Sequence, residues 1–308
     1  YCCRSIINTT RERNTKRLIL MSQGFGNIKE LIDAEVVDGK VNYTTFRKTP
    51  SQVTTARLWF DLSMSPGNPV PQYYIGAINT ATPLKHSTDG GLYHAKGVSP
   101  LKKYLRQFTL LSNSATGLPL SVILLDYLLF YPFIDESTTD EQIMDNTQTL
   151  PRYTDGKGVQ IMAVSVASRV GGATFTVKYT NQDGVEGRVT SIALENTATS
   201  NGNIVTSQTA STNVSGPFLT LQEGDTGVRK IESVTMITGD VGLFTLVLVK
   251  PLYKTQIRGV DAPVESDPFI HQSQCPEIKD DAYLNMICLP QGSLSGVSVY
   301  GDIKVVWN

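Results

Sequence analysis

Along most of the chain apolar and polar residues alternate singly, and a period of two predicts strands. In GATFTVKYTNQDGVEGRVTSIAL (172–194), Phe175, Val177 and Tyr179 alternate with Thr174, Thr176 and Lys178. Asp183-Gly184 supplies a hairpin turn there, and Gly187 helps to close it. Further on, Val297, Val299, Ile303, Val305 and Trp307 fall on one face, with Ser298, Tyr300, Asp302 and Lys304 on the other. The stretches VQIMAVSVAS (159–168) and RKIESVTMI (229–237) read as further strands. GLFTLVLVK (242–250) is apolar on both faces, which predicts a central strand or one covered by a partner. About ten strands are expected between Thr55 and Trp307, separated by Gly, Pro, Asn and Asp clusters. Such spacing predicts an all-β fold, an antiparallel β-sandwich of jelly-roll-like form.

The most apolar segment is LPLSVILLDYLLFYPFIDE (118–136). A membrane-spanning helix needs about 20 apolar residues, and this run is interrupted by Asp126 and Pro132. An Asp at a helix centre costs roughly 2.5–3.5 kcal/mol on insertion scales. Its Leu, Ile, Val, Tyr and Phe content suits a strand. We therefore expect a long strand, bent near Asp126 and buried on both faces, part of which forms a subunit interface. No membrane association is expected.

Before the β region, residues 21–40 offer one short helix. Asn27 can cap it, Glu30 completes a capping box, Ile28, Leu31 and Ile32 give an apolar face, and Gly39 fits a stop. The first 20 residues carry Arg4, Arg11, Arg13, Lys16 and Arg17 against Glu12. They read as an extension upstream of a start at Met21, or as a basic arm. The expected organisation is an extension over residues 1–20, an arm over 21–50 and a β-sandwich body over 51–308.

Charge narrows the partners. Lys and Arg number 27 against 28 Asp and Glu, so no global field draws the chain to nucleic acid or an anionic membrane. The basic residues are dispersed, and aromatics do not interleave with them. Nucleic acid is not an expected partner. Cys2, Cys3, Cys275 and Cys288 lack the CxxC spacing of zinc and redox motifs, so free thiols are expected, with a Cys275–Cys288 disulfide the alternative. The sequons at Asn8, Asn42 and Asn213 carry little weight without a secretory signal.

Reaction chemistry finds no foothold in the pattern. His86 and His94 lie in the polar loop LKHSTDGGLYHAKG and are expected to be solvated, as His271 is. GSLSG (292–296) has Leu294 where a nucleophile elbow needs Ser. DGKG (155–158) is too short for a phosphate loop and reads as a turn. The cluster Asp135, Glu136, Asp140, Glu141 and Asp145 lacks the order of a calcium loop and is expected to be a solvated acidic loop. We assign no catalytic, metal-binding or cofactor-binding residue, and expect a protein that is not an enzyme and needs no cofactor. Residues 196–222 contain no charge and are rich in Ser, Thr and Asn. They are expected to form loops and edge strands. The alternative reading is an exposed glycan-binding surface around Asn201 and Asn203.

Several stretches together resemble virion structural proteins of tailed bacteriophages. These are LLDYLLFYPFIDE, TLPRYTDGKGVQIMAVSVA, YTNQDGVEGRV, GLFTLVLVKPL, CPEIKDDAYLNMICLPQGSLSG and GDIKVVWN. The similarity runs over roughly residues 42–308 and leaves out the first 20. It implies a structural component of the particle, and no residue of a reaction is carried over. The expectation is a capsid decoration (cement) protein in the virion, bound to the major capsid protein. It would be a homo-oligomer, with a trimer the expected state. The alternative is a carbohydrate-binding spike or fibre module.

Overall fold

The computed structural model describes residues 24–207, 216–272 and 275–308. The expectations for residues 1–20, for Cys2 and Cys3 and for the sequons at Asn8 and Asn213 lie outside that set. In chain order the strands are β1 (Val41–Lys48), β2 (Phe60–Asp61), β3 (Gly67–Asn68), β4 (Thr82–Pro83), β5 (Lys103–Ser112) and β6 (Leu120–Asp135). They continue with β7 (Gln142–Ile143), β8 (Gln160–Ser165), β9 (Thr174–Asn181), β10 (Arg188–Val189), β11 (Ala193–Leu194) and β12 (Val228–Thr238). The last are β13 (Leu243–Ile257), β14 (Val264–Ser266), β15 (Glu277–Ile278), β16 (Tyr283–Leu289) and β17 (Val299–Trp307).

The strands form three antiparallel sheets, and the protein is an all-β sandwich. The central sheet has the order β2-β16-β6-β13-β8, with β4 beside β6. A second sheet runs β14-β5-β17-β1-β3, with β15 beside β5. The third runs β10-β9-β12-β7, with β11 beside β9. Side-chain alternation on the long strand β6 explains how they stack. Leu120, Val122 and Leu124 join Phe108, Leu110, Ile303 and Val305 of the second sheet. Leu129, Tyr131 and Ile134 join Phe175, Val177, Tyr179 and Ile231 of the third. A register irregularity at Leu128 keeps both sets on one face of the central sheet, so the two smaller sheets sit end to end along it. Ile123, Leu125, Tyr127 and Phe130 point the other way.

That opposite face is covered by connections rather than by a sheet. Trp59, Met64, Tyr74, Leu84 and Ile204 pack on it. The apolar surface of the long segment is thus satisfied within the chain, on both faces and by strand neighbours β13 and β16. GLFTLVLVK likewise forms the start of β13, a central strand between β6 and β8. Asp126 lies at the waist between the two cores. Its carboxylate accepts from Arg152 Nε at 2.9 Å and Nη2 at 2.6 Å, and from the Tyr283 N–H at 3.1 Å. The residue that argued against a membrane helix is a buried ion pair.

The helix near the N-terminus spans Ile28–Ile32, and Asn27 caps it as the sequence predicts, whereas the Glu30 side chain reaches one residue beyond the cap. Asn27 Oδ1 accepts from the Glu30 N–H at 3.0 Å, and Glu30 Oε2 accepts from the Gly26 N–H at 2.7 Å. It runs into a π-helical turn, Asp33–Val37, and Gly39 follows at φ +63°. Leu31 and Ala34 pack with Phe25 and Tyr104 on Val306. Glu35 accepts from Arg106 at 2.8 Å and from Lys304 at 2.7 Å. These residues therefore lie on the outer face of the second sheet. Val41–Lys48, which the sequence reading placed in an arm, is a full strand of that sheet paired along its length with β17, and Phe46 enters the core.

Candidate interaction surface

Residues 62–84 contain no charged side chain. Within them, Val70 is 62% exposed, Tyr73 52%, Ile75 76% and Ile78 69%. Scattered apolar residues are ordinary on surfaces; here four of them fall within nine residues of uncharged chain, which makes the loop a candidate for contact.

Three anchors hold this loop. Tyr74, between two exposed apolar neighbours, turns inward at φ +53° and is fully buried. Its hydroxyl donates to Asp61 Oδ2 at 2.5 Å, and Tyr127 donates to Asp61 Oδ1 at 2.7 Å. Ser63 adds its hydroxyl to Oδ2 at 2.8 Å and its N–H to Oδ1 at 2.9 Å. Burial pushes the Asp61 carboxyl upward, and these donors act against it. The Tyr74 ring also meets Phe130 edge-on at 5.4 Å. Lys48 is the second anchor. Its ammonium donates to the carbonyls of Pro69 at 2.7 Å, Ser65 at 3.0 Å and Ser63 at 3.3 Å. Burial lowers its pKa to about 8, with Asp61 opposing. The third anchor is at the far end, where the Asn79 N–H donates to Pro132 O and the Ala81 N–H to Asp145 O. Gly76 is squeezed between Thr82, Pro132 and Phe130, where a Cβ would sit 3.1–3.5 Å from their side chains. The loop thus presents its apolar side chains from a fixed base, which lowers the entropy cost of a contact.

The residues considered for chemistry are dispersed. His94 is buried, not solvated. Its Nε2 lies 2.9 Å from Ala282 O and its Nδ1 3.0 Å from Lys103 Nζ, so Nε2 carries the proton and Nδ1 accepts. Burial and then Lys103 push its pKa down to about 4. The His86 ring lies beside it at 5.3 Å, tilted by 56°, and His271 is exposed on a separate helix. Glu136 leaves the acidic cluster altogether. It is fully buried, facing Arg169 Nε at 3.1 Å, and Arg169 also binds Glu195. A buried cation from a distant loop overrides the local pattern there. Asn203 is buried too, its amide donating to Asn196 Oδ1 at 2.7 Å, so it cannot meet a glycan. Asn201 lines a small cavity with Phe60, Met64 and Tyr73. Leu294 of GSLSG is buried, and DGKG is a turn closed by Gly156 N–H to Tyr153 O at 2.7 Å. Cys275 and Cys288 are free thiols. Among the described residues no three His, Cys, Asp or Glu side chains converge as a metal site.

One groove of about 380 Å³ opens at the waist, lined by Tyr153, Lys250, Leu252, Cys275 and Glu277. Lys250 and Lys279 flank the Tyr153 ring at 5.4 and 5.8 Å. Lys279 is paired with Glu277 at 2.6 Å and Lys250 donates to Lys157 O at 2.8 Å, so neither ammonium is left unsatisfied.

No family model matches the chain, and no curated protein does. Among solved structures, a chain in the structure of infectious bursal disease virus Gt strain is 8% identical over 87% of this chain and 80% of that one. Its TM-score is 0.18, and nothing about this protein's fold or function follows from so loose a superposition.

The sequence reading missed the 70–78 loop. The signal was available: a charge-free run in which Val70, Tyr73, Ile75 and Ile78 cluster beside Pro69 and Pro71. In the uncharged 196–222 segment, residues 202–207 are buried against Trp59 and the central sheet.

Proposed function

We propose that the protein is a non-enzymatic structural component of a tailed-bacteriophage virion, a capsid decoration subunit that binds the major capsid protein. The observation that carries this reading is the anchored apolar loop at residues 70–78, a surface suited to a permanent contact rather than to turnover. The resemblance of residues 42–308 to phage virion proteins supplies the class of assembly. Stable interfaces of this kind bury a hydrophobic centre within a polar rim, and Tyr and Ile side chains on a fixed base fill that role. The mechanism is burial of apolar surface across joints between capsomers, with no reaction involved.

The spike alternative loses one of the two residues that motivated it, since Asn203 is committed to Asn196. The test is fractionation of particles from cells making this chain as wild type and as the double variant Ile75→Ser, Ile78→Ser. Wild type is expected to band with particles and the variant to remain in the soluble fraction. Equal banding of both would remove the loop from the contact, and absence of wild type from particles would remove the virion reading.

A further inference from the structure

Strand β1 has one paired edge and one open edge. The Trp307 N–H donates to Lys40 O, and the register sets Asn42 opposite Val305 and Thr44 opposite Ile303. In an antiparallel ladder this turns the backbone of the even-numbered residues toward β17 and that of the odd-numbered ones away. On the outer side β3 reaches only Arg47 and Lys48. Two further outward groups are used at the ends: the Val41 N–H donates to Gly39 O at 2.9 Å, and Thr45 O accepts from Asn68 Nδ2 at 3.3 Å. The groups left without a partner among the described residues are Val41 C=O, Tyr43 N–H, Tyr43 C=O and Thr45 N–H.

That set is self-complementary. We propose that the open edge of β1 pairs antiparallel with the same edge of a second copy, about a two-fold axis at Tyr43. Each Tyr43 N–H then donates to Tyr43 O of the other copy, and each Thr45 N–H to Val41 O of the other copy. The four bonds use every open group on both chains, and the capped ends set the length of the pairing. Side chains agree with a copy of the same chain as occupant. Residues 41–46 carry no charge, and the Lys304 ammonium that lies 5.5 Å from the Tyr43 ring is paired with Glu35 at 2.7 Å. Proteins ordinarily protect an edge with Lys, Pro or a bulge, and between Val41 and Phe46 none is present and the β1–β17 register runs without irregularity. Tyr43 is exposed, as are Val36 and Val37 just before the strand. This pairing stands independently of the virion reading and deepens the expected self-association: a two-fold contact makes a dimer, not a trimer.

Sedimentation velocity on the full chain tests it, with Tyr43→Lys and Tyr43→Glu as variants and circular dichroism as the control for folding. Tyr43 lies opposite itself across the axis, so each variant alone places like charges face to face. The expected results are a wild-type dimer, dimerisation weakened at least about tenfold in each variant, and recovery of dimer when the two variants are mixed. Thr45→Pro, which removes an outward donor only, should also dissociate the dimer. A wild-type dimer or trimer indifferent to all three substitutions overturns the proposal. So does a monomeric full chain that dimerises only after residues 1–23 are removed, since the chain's own segment would then occupy the edge.

Discussion

Asp61 shows how single buried groups set the surface. Its two oxygens receive Tyr74, Tyr127 and Ser63, and Tyr74 in turn holds the exposed loop. Tyr74→Phe deletes one donor to a buried carboxylate and should cost about 1–3 kcal/mol in urea unfolding. Neighbouring Tyr73→Ser, at an exposed position, should stay within about 0.5 kcal/mol. Equal losses at the two positions would contradict this anchoring. The Glu136–Arg169–Glu195 cluster makes a second prediction, in pH. Burial raises both carboxyls, Glu195 to about 8, with Arg169 opposing. From the ordinary value of 4.5 up to about 8 the folded state therefore holds a proton that the unfolded chain releases. Stability from this group is full below that window, falls as pH rises through it, and is lost above it. Wild type should lose about 1 kcal/mol or more between about pH 5 and about pH 8.5 through this cluster, and Glu195→Gln should flatten the fall. An identical fall in both proteins would exclude the cluster as its source. Neither group was legible in the sequence, because the partner of each acid comes from a separate segment and only the fold brings them together.

Elements were more legible than residues. A period of two foretold which of Phe175, Val177 and Tyr179 face inward, since that alternation is a local property of extended backbone. The Asn27 cap was readable for the same reason. The role of β1 was not, because only its pairing with β17, at the far end of the chain, makes it a sheet strand. Removal of residues 1–40 should leave a folded β body, whereas removal of residues 1–50 strips β1, buries nothing in place of Phe46 and should abolish cooperative unfolding. Limited proteolysis and circular dichroism distinguish the two. At the waist of β6, Arg152→Met should cost about 3–5 kcal/mol by removing the cation that pairs with the buried Asp126. Adding Asp126→Leu should recover most of that loss. A double variant as unstable as the single would contradict a compensating pair.

For the whole molecule, the sandwich was foretold and the number of sheets was not. Alternation reports that a strand has a wet and a dry face, but not which neighbours it packs on. The long apolar segment was expected to share its surface with another subunit, and in the fold it is covered by its own chain. Two places among the described residues carry the proposals for partners: the loop at residues 70–78 and the edge of β1. Attachment of this chain to a particle through that loop is the central proposal. Quantitative mass spectrometry of density-purified particles tests it most directly. The prediction is wild-type chain in fixed ratio to the major capsid protein, and loss of it from particles carrying Ile75→Ser, Ile78→Ser. Chain found only in the soluble fraction, or retained unchanged in the variant, would contradict attachment through the loop.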